Sequence, residues 1–209
     1  IASQVFGVRD FVLIFGVYLL NGLVFAATGV AVWMLRPQRG ASWALLGLGL
    51  STGVFTLTAM DLYGPYTFFV IHALAEAFVP GALIHLALLF PIARMSGPRA
   101  AAVAYVPSAV VAGVYVMRLD APAGYALVHA LATASALAAI LGLLCAVVIG
   151  FQRSTSPLVR HRVRCVAIGG VAAFVLPAIV LSASVFEGGR VPANALGFTA
   201  FLFPLSVAY

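Results

Sequence analysis

The chain has 209 residues, 64% of them hydrophobic and 8% charged, with a mean hydropathy of +1.16. That composition excludes a water-soluble globular domain, and repeated apolar runs long enough to cross a bilayer make it an all-α, polytopic membrane protein. The formal charge of +6 comes from 11 basic residues, all arginine; most lie in short segments between spans, where they set orientation and do not argue for nucleic acid as a partner.

In chain order, a lead with Arg9 and Asp10 precedes a first span over residues 11–35, closed by Arg36, Pro37 and Arg39. The second span, 42–60, carries Gly49-x-x-x-Gly53, a spacing that lets two helix backbones come close. Asp61–Pro65 reads as a tight polar turn. The third span, 66–91, would reach ~39 Å as a helix against a hydrocarbon core of ~30 Å. The fourth covers about 100–117 and contains Pro107; Arg118–Gly124 turns the chain back. In the fifth, 123–151, small residues recur at every fourth position from Ala126 through Ala130, Ala134, Ala138, Gly142 and Ala146 to Gly150, which predicts a close neighbour along that stripe.

The segment Gln152–Arg164 reads as the longest and most basic loop, with Arg153, Arg160, His161, Arg162 and Arg164. Its arginines fit an anchor to anionic headgroups, at ~1 kcal/mol for each. A sixth span follows at about 165–186 with Pro177 inside, then a turn at Glu187–Pro192 and a seventh span at 193–209 with Pro204 near its end. An opening Ile and an apolar run reaching Tyr209 lead to the expectation of a single seven-helix domain, residues 1–209, cut from a longer polypeptide. Cys145 and Cys165 are expected to be buried, inert thiols near the cytoplasmic side, where a structural disulfide is disfavoured.

Alternate loops hold unequal numbers of arginines. The first, third and fifth carry eight, and the lead with the second, fourth and sixth carries three. The positive-inside rule then places the N-terminus outside and the C-terminus in the cytoplasm.

The third span draws attention because it contains His72, Glu76 and His85. Ionisable groups inside a span are costly and face protein or water. His72 and Glu76 are four residues apart and share a helix face. Pro80 cannot donate to the Glu76 carbonyl, which predicts a freed carbonyl and a kink. His129, six residues into the fifth span, reaches the same depth as His72. Two readings stay open: a hydrogen-bonded joint that holds the bundle together, or a sensing patch of Asp61, Tyr63, His72, Glu76 and His129. In the second, Pro80, Pro107, Pro177 and Pro204 supply kinked elements able to relay a change, and the basic segment with Arg153, Arg160, Arg162 and Arg164 lies on the cytoplasmic side. His85, on another face, reads as a packing or interfacial histidine. No catalytic constellation is apparent.

The stretches RDFVLIFGVYLL (9–20), DLYGPYTFFVIHALAEAFVPGALIHLALLFP (61–91), VRHRVRCVAIGGVAAFVLP (159–177) and FLFPLSVAY (201–209) resemble the multi-span N-terminal membrane domains of bacterial sensor histidine kinases and related phosphatase or cyclase receptors. His85–Pro91, Arg160–Arg164, Pro177 and Phe203–Tyr209 occupy the places of that family's short motifs. The resemblance implies a sensing domain in the bacterial cytoplasmic membrane, a homodimer, an unknown small ligand and a cytoplasmic output module following the last span. The linker and any kinase, with its phospho-acceptor histidine, are absent from these residues.

Other classes make different demands. An accessory subunit of a larger membrane complex needs no site of its own. Transport or proton conduction would call for an inverted repeat, and none is seen. No cofactor is required by the sequence; haem ligated by His72 and His85 with His129 as the available partner, or a metal held by His72, Glu76 and His129, are the alternatives. A retinal Schiff base needs a lysine, which the chain lacks.

Overall fold

A computed structural model describes residues 8–63, 65–118, 122–175 and 199–208. All regular structure among them is helical. α1 is Val8–Leu35, α2 Gly40–Thr58, α3 Phe69–Leu89, α4 Pro98–Arg118, α5 Pro122–Arg153 and α6 Pro157–Gly170; α6 continues into a wider turn at Val171–Val175, and α7 is Leu202–Ala208. In hydrocarbon every backbone N–H and C=O must find its partner within the segment, and helices achieve that. α4, α5 and α6 each open on a proline, whose fixed φ suits a first turn that has no use for its missing N–H.

Among the described residues, five helices are long and apolar enough to cross a membrane: Phe15–Leu35, Gly40–Leu62, Phe69–Leu89, Pro98–Arg118 and Leu127–Arg153. The sixth and seventh expected spans fall partly on residues 176–198, outside the described residues, as do Pro177 and the turn at Glu187–Pro192. α1 ends beside the end of α7, where Leu35 and Ala208 border one cavity, so Val8 and Ala208 lie at opposite ends of the bundle.

α3 is the central helix. Of its apolar stretch 61% is buried, against 28–33% for the other four, and it packs on α2, α4 and α5. α1 and α2 meet backbone to backbone. A Cβ on Gly49 would sit 2.5 Å from the Phe25 carbonyl oxygen and 3.0 Å from the Gly29 Cα, and one on Gly53 would sit 3.0 Å from the Gly22 carbonyl. Only glycine permits that approach, as the Gly49-x-x-x-Gly53 spacing predicts.

Three expectations change. The basic loop contracts to Ser154–Ser156: Arg153 closes α5, and Arg160, Arg162 and Arg164 belong to α6 because Pro157 starts that helix early. The small-residue stripe of α5 does not lie against a described neighbour over most of its length. Ala130, Ala134 and Ala138 are exposed and a Cβ on Gly142 would meet nothing, whereas Val128, Ala132, Ala139, Leu143 and Val147 face the core. Cys145 shares the exposed face and is not buried, and it and Cys165 are both free thiols.

Candidate functional site

The turn between α2 and α3 sets the depth of the α3 polar groups. Asp61 Oδ2 accepts the Phe68 N–H at 2.6 Å, which closes the turn and starts α3 at Phe69. Asp61 is therefore engaged in shaping the backbone. The Tyr63 side chain lies outside the described residues.

One turn into α3, His72 is 4% exposed. Its Nδ1 lies 3.1 Å from the Phe55 carbonyl and 3.1 Å from Thr58 Oγ1, both on α2, and its ring stacks on Phe55 at 4.6 Å. A carbonyl can only accept, so Nδ1 carries the hydrogen and Nε2 is the nitrogen left to gain or lose a proton. Thr58 in turn donates to the Val54 carbonyl, which leaves its oxygen free to accept from the histidine.

Glu76 follows on the next turn of the same face, but the two side chains diverge: His72 bonds to α2 and the Glu76 carboxyl reaches α4 and α5. Its Oε2 accepts a hydrogen bond from the Tyr115 hydroxyl at 2.6 Å, and its Oε1 lies 2.8 Å from Nδ1 of His129. Tyr115 is fully buried, the Glu76 side chain is 10% exposed and the His129 side chain 51% exposed, so the cluster leads from the core to the open flank of α5. Both carboxyl oxygens are thereby engaged, and one side chain of α3 ties three helices together.

Beneath this cluster is a cavity of about 300 Å³ between α3, α4 and α5. Ala77, Val111 and Ala132, each within one turn of a cluster residue, lie along it, and Pro80 and Pro107 form part of its wall. α3 runs as helix through Pro80, and the Gly81 N–H donates to Ser108 Oγ on α4 at 3.1 Å. Here the prolines and small residues keep the helices from closing fully. Pro204 is buried in α7, away from this site.

His85 lies toward the other end of α3, buried, with its ring at 5.3 Å from that of Tyr105 and Nδ1 3.4 Å from the tyrosine oxygen. It packs within the bundle. Among the described residues no three His, Cys, Asp or Glu side chains are gathered to hold a metal ion. The α6 arginines divide between two faces. Arg160 donates to the Ser154 carbonyl at 2.9 Å, and Arg160 and Arg164 lie over the Phe151 ring at 5.7 and 5.6 Å; Arg162 turns toward α1 and α2. Arg94, not singled out by the sequence, donates to the Ala87 and Ala146 carbonyls at 2.9 Å each and so ties the α3–α4 loop to α5.

The structure thus brings Glu76 and His129 together, with His72 one turn away on α2's side, and adds Tyr115. A tyrosine inside an apolar span was the available signal, since a buried phenol hydroxyl takes a partner. These features define a helical membrane protein with a buried acid at its centre. Comparison with protein-family models, with curated proteins and with solved structures finds no match.

Proposed function

We propose that this chain is the membrane-embedded sensing domain of a bacterial two-component-type receptor, passing a signal received within or outside the bilayer to a cytoplasmic output module. The observation that carries the reading is the Glu76–Tyr115–His129 cluster set over a cavity. An intramembrane acid that joins three helices makes their packing depend on its own bonding. The adjoining space gives the helices room for a second arrangement, and the rotation or shift of packed helices is a standard way of passing a signal on.

The arginine bias supports an N-terminus outside and a C-terminus in the cytoplasm, and the opposite positions of Val8 and Ala208 accord with that orientation. In this arrangement the cluster lies in the outer half, and α7 leads toward the cytoplasm. A homodimer, the bacterial inner membrane as location and a kinase, phosphatase or cyclase as output follow from the family resemblance.

The test is the output of the intact protein carrying Glu76→Gln, recorded over ligand dose and pH. The substitution keeps the size of the side chain but replaces the carboxyl with an amide that cannot ionise. A shifted or flattened response supports the reading. An output identical to that of the parent removes the cluster from signalling and leaves it as a joint.

A further inference from the structure

At the end of the bundle opposite the Glu76 cluster, three arginines from separate parts of the chain border one cavity of about 200 Å³. Arg36 follows α1, Arg39 precedes α2, and Arg162 belongs to α6, on the face away from Phe151. Ser42 and Ser206 add hydroxyl groups to its wall. Three like charges around a small space repel one another, and no acidic side chain among the described residues is paired with any of them. Arg36 and Arg39 are exposed and Arg162 is half-buried, so solvent screens much of that repulsion, and an anion seated between them would relieve the rest.

The backbone points the same way. α2 begins at Gly40 with no side-chain cap and no acid in its first turn. The positive end of its dipole therefore faces this region, although the Ser42 N–H is taken up by the Arg39 carbonyl at 3.0 Å. Ser42 is 3% exposed, lines the cavity and makes no side-chain hydrogen bond to another described residue. The Ser42 hydroxyl is not sealed away and can donate into the cavity it borders.

We propose that Arg36, Arg39, Ser42 and Arg162 bind a phosphate ester at this end of the bundle. Arginine guanidinium groups match phosphate oxygens with paired donors, and the α2 N-terminus and the Ser42 hydroxyl supply neutral donors. The rest of the wall is apolar, with Val32, Leu35 and Phe90 at the ends of α1 and α3. A polar recess with an oily side wall at the end of spanning helices suits the headgroup of an anionic phospholipid, whose chains would continue along α1; the same donors would also take a phosphate ester from solution. Arg99, exposed on α4 and outside the cavity, serves as an internal control.

The experiment uses the full chain, solubilised and reconstituted in discs of equimolar phosphatidylglycerol and phosphatidylcholine, with the lipid retained after detergent exchange measured by native mass spectrometry. The parent should retain phosphatidylglycerol over phosphatidylcholine. Each of R36Q, R39Q and R162Q should lower that preference about fivefold, the size expected for one charge near a membrane surface, and R99Q should leave it unchanged. S42A should lower it by a smaller factor, and helical content by circular dichroism should stay at the parent value in every variant. Inorganic phosphate added during exchange separates the sources: failure to displace phosphatidylglycerol assigns the site to lipid, and displacement assigns it to a soluble phosphate ester. Equal retention of phosphatidylglycerol by the parent and the R36Q/R39Q/R162Q protein, or a loss in R99Q as large as in R162Q, would overturn the proposal.

Discussion

Two of the helix junctions among the described residues are held in different ways. α1 and α2 touch through Gly22, Gly29, Gly49 and Gly53, with backbone atoms in contact and no room for an added carbon. α3, α4 and α5 are instead held by Glu76, Tyr115 and His129 across a gap that leaves about 300 Å³ open. Lipid tails are as apolar as leucine, so helices in a bilayer associate through close packing or polar bonds. The first junction uses packing and has one geometry. The second packs closely at Gly81, where a Cβ would sit 2.8 Å from the Ala104 carbonyl oxygen, but beside the cavity it relies on the directional bonds of Glu76, so its geometry there can change when those bonds change.

Substitutions can break this contrast in graded steps. The largest effect is expected from Gly49→Val, which drives a side chain into the Phe25 carbonyl and Gly29; overpacking of that kind costs ~3 kcal/mol, read as reduced resistance to unfolding in bicelles. Next, Glu76→Leu removes both bonds of the second junction. At roughly 1 kcal/mol for each intramembrane hydrogen bond it should cost ~2 kcal/mol in the same assay. Tyr115→Phe, which deletes one of them and keeps the ring, should cost ~1 kcal/mol.

The smallest effect sharpens the comparison from the other side. Ala138 borders the cavity and is exposed, so Ala138→Leu should change stability by no more than ~0.5 kcal/mol. Adding carbon atoms would then be ruinous where α1 meets α2 and harmless beside the cavity. A large loss from Ala138→Leu would mean that the second junction is as closely fitted as the first.

Much of this was readable in the residues, for identifiable reasons. The first five spans follow from the lengths of their apolar runs, and the glycine junction from a spacing of four in α2. His129 could be placed at the depth of His72, one turn from Glu76, because equal distance from the turns means equal depth. Other features escaped because a membrane helix is apolar on every side, so hydrophobic periodicity does not say which face meets protein. The α5 stripe illustrates this, since Ala130, Ala134 and Gly142 look like a packing seam yet stand open. Tyr115 escaped because only the crossing of α3 with α4 brings its hydroxyl to Glu76. The convergence of Arg36, Arg39 and Arg162 depends on where α6 starts, which Pro157 sets and which a basic run alone conceals.

The central claim is that Glu76 bonds α3 to α4 and α5 as a unit, and a double-mutant cycle between Glu76→Gln and Tyr115→Phe, measured by unfolding in bicelles, tests it most directly. Contact at 2.6 Å predicts a coupling energy on the order of 1 kcal/mol between the two substitutions. Strict additivity, with each change costing the same whether or not the other is present, would contradict the claim.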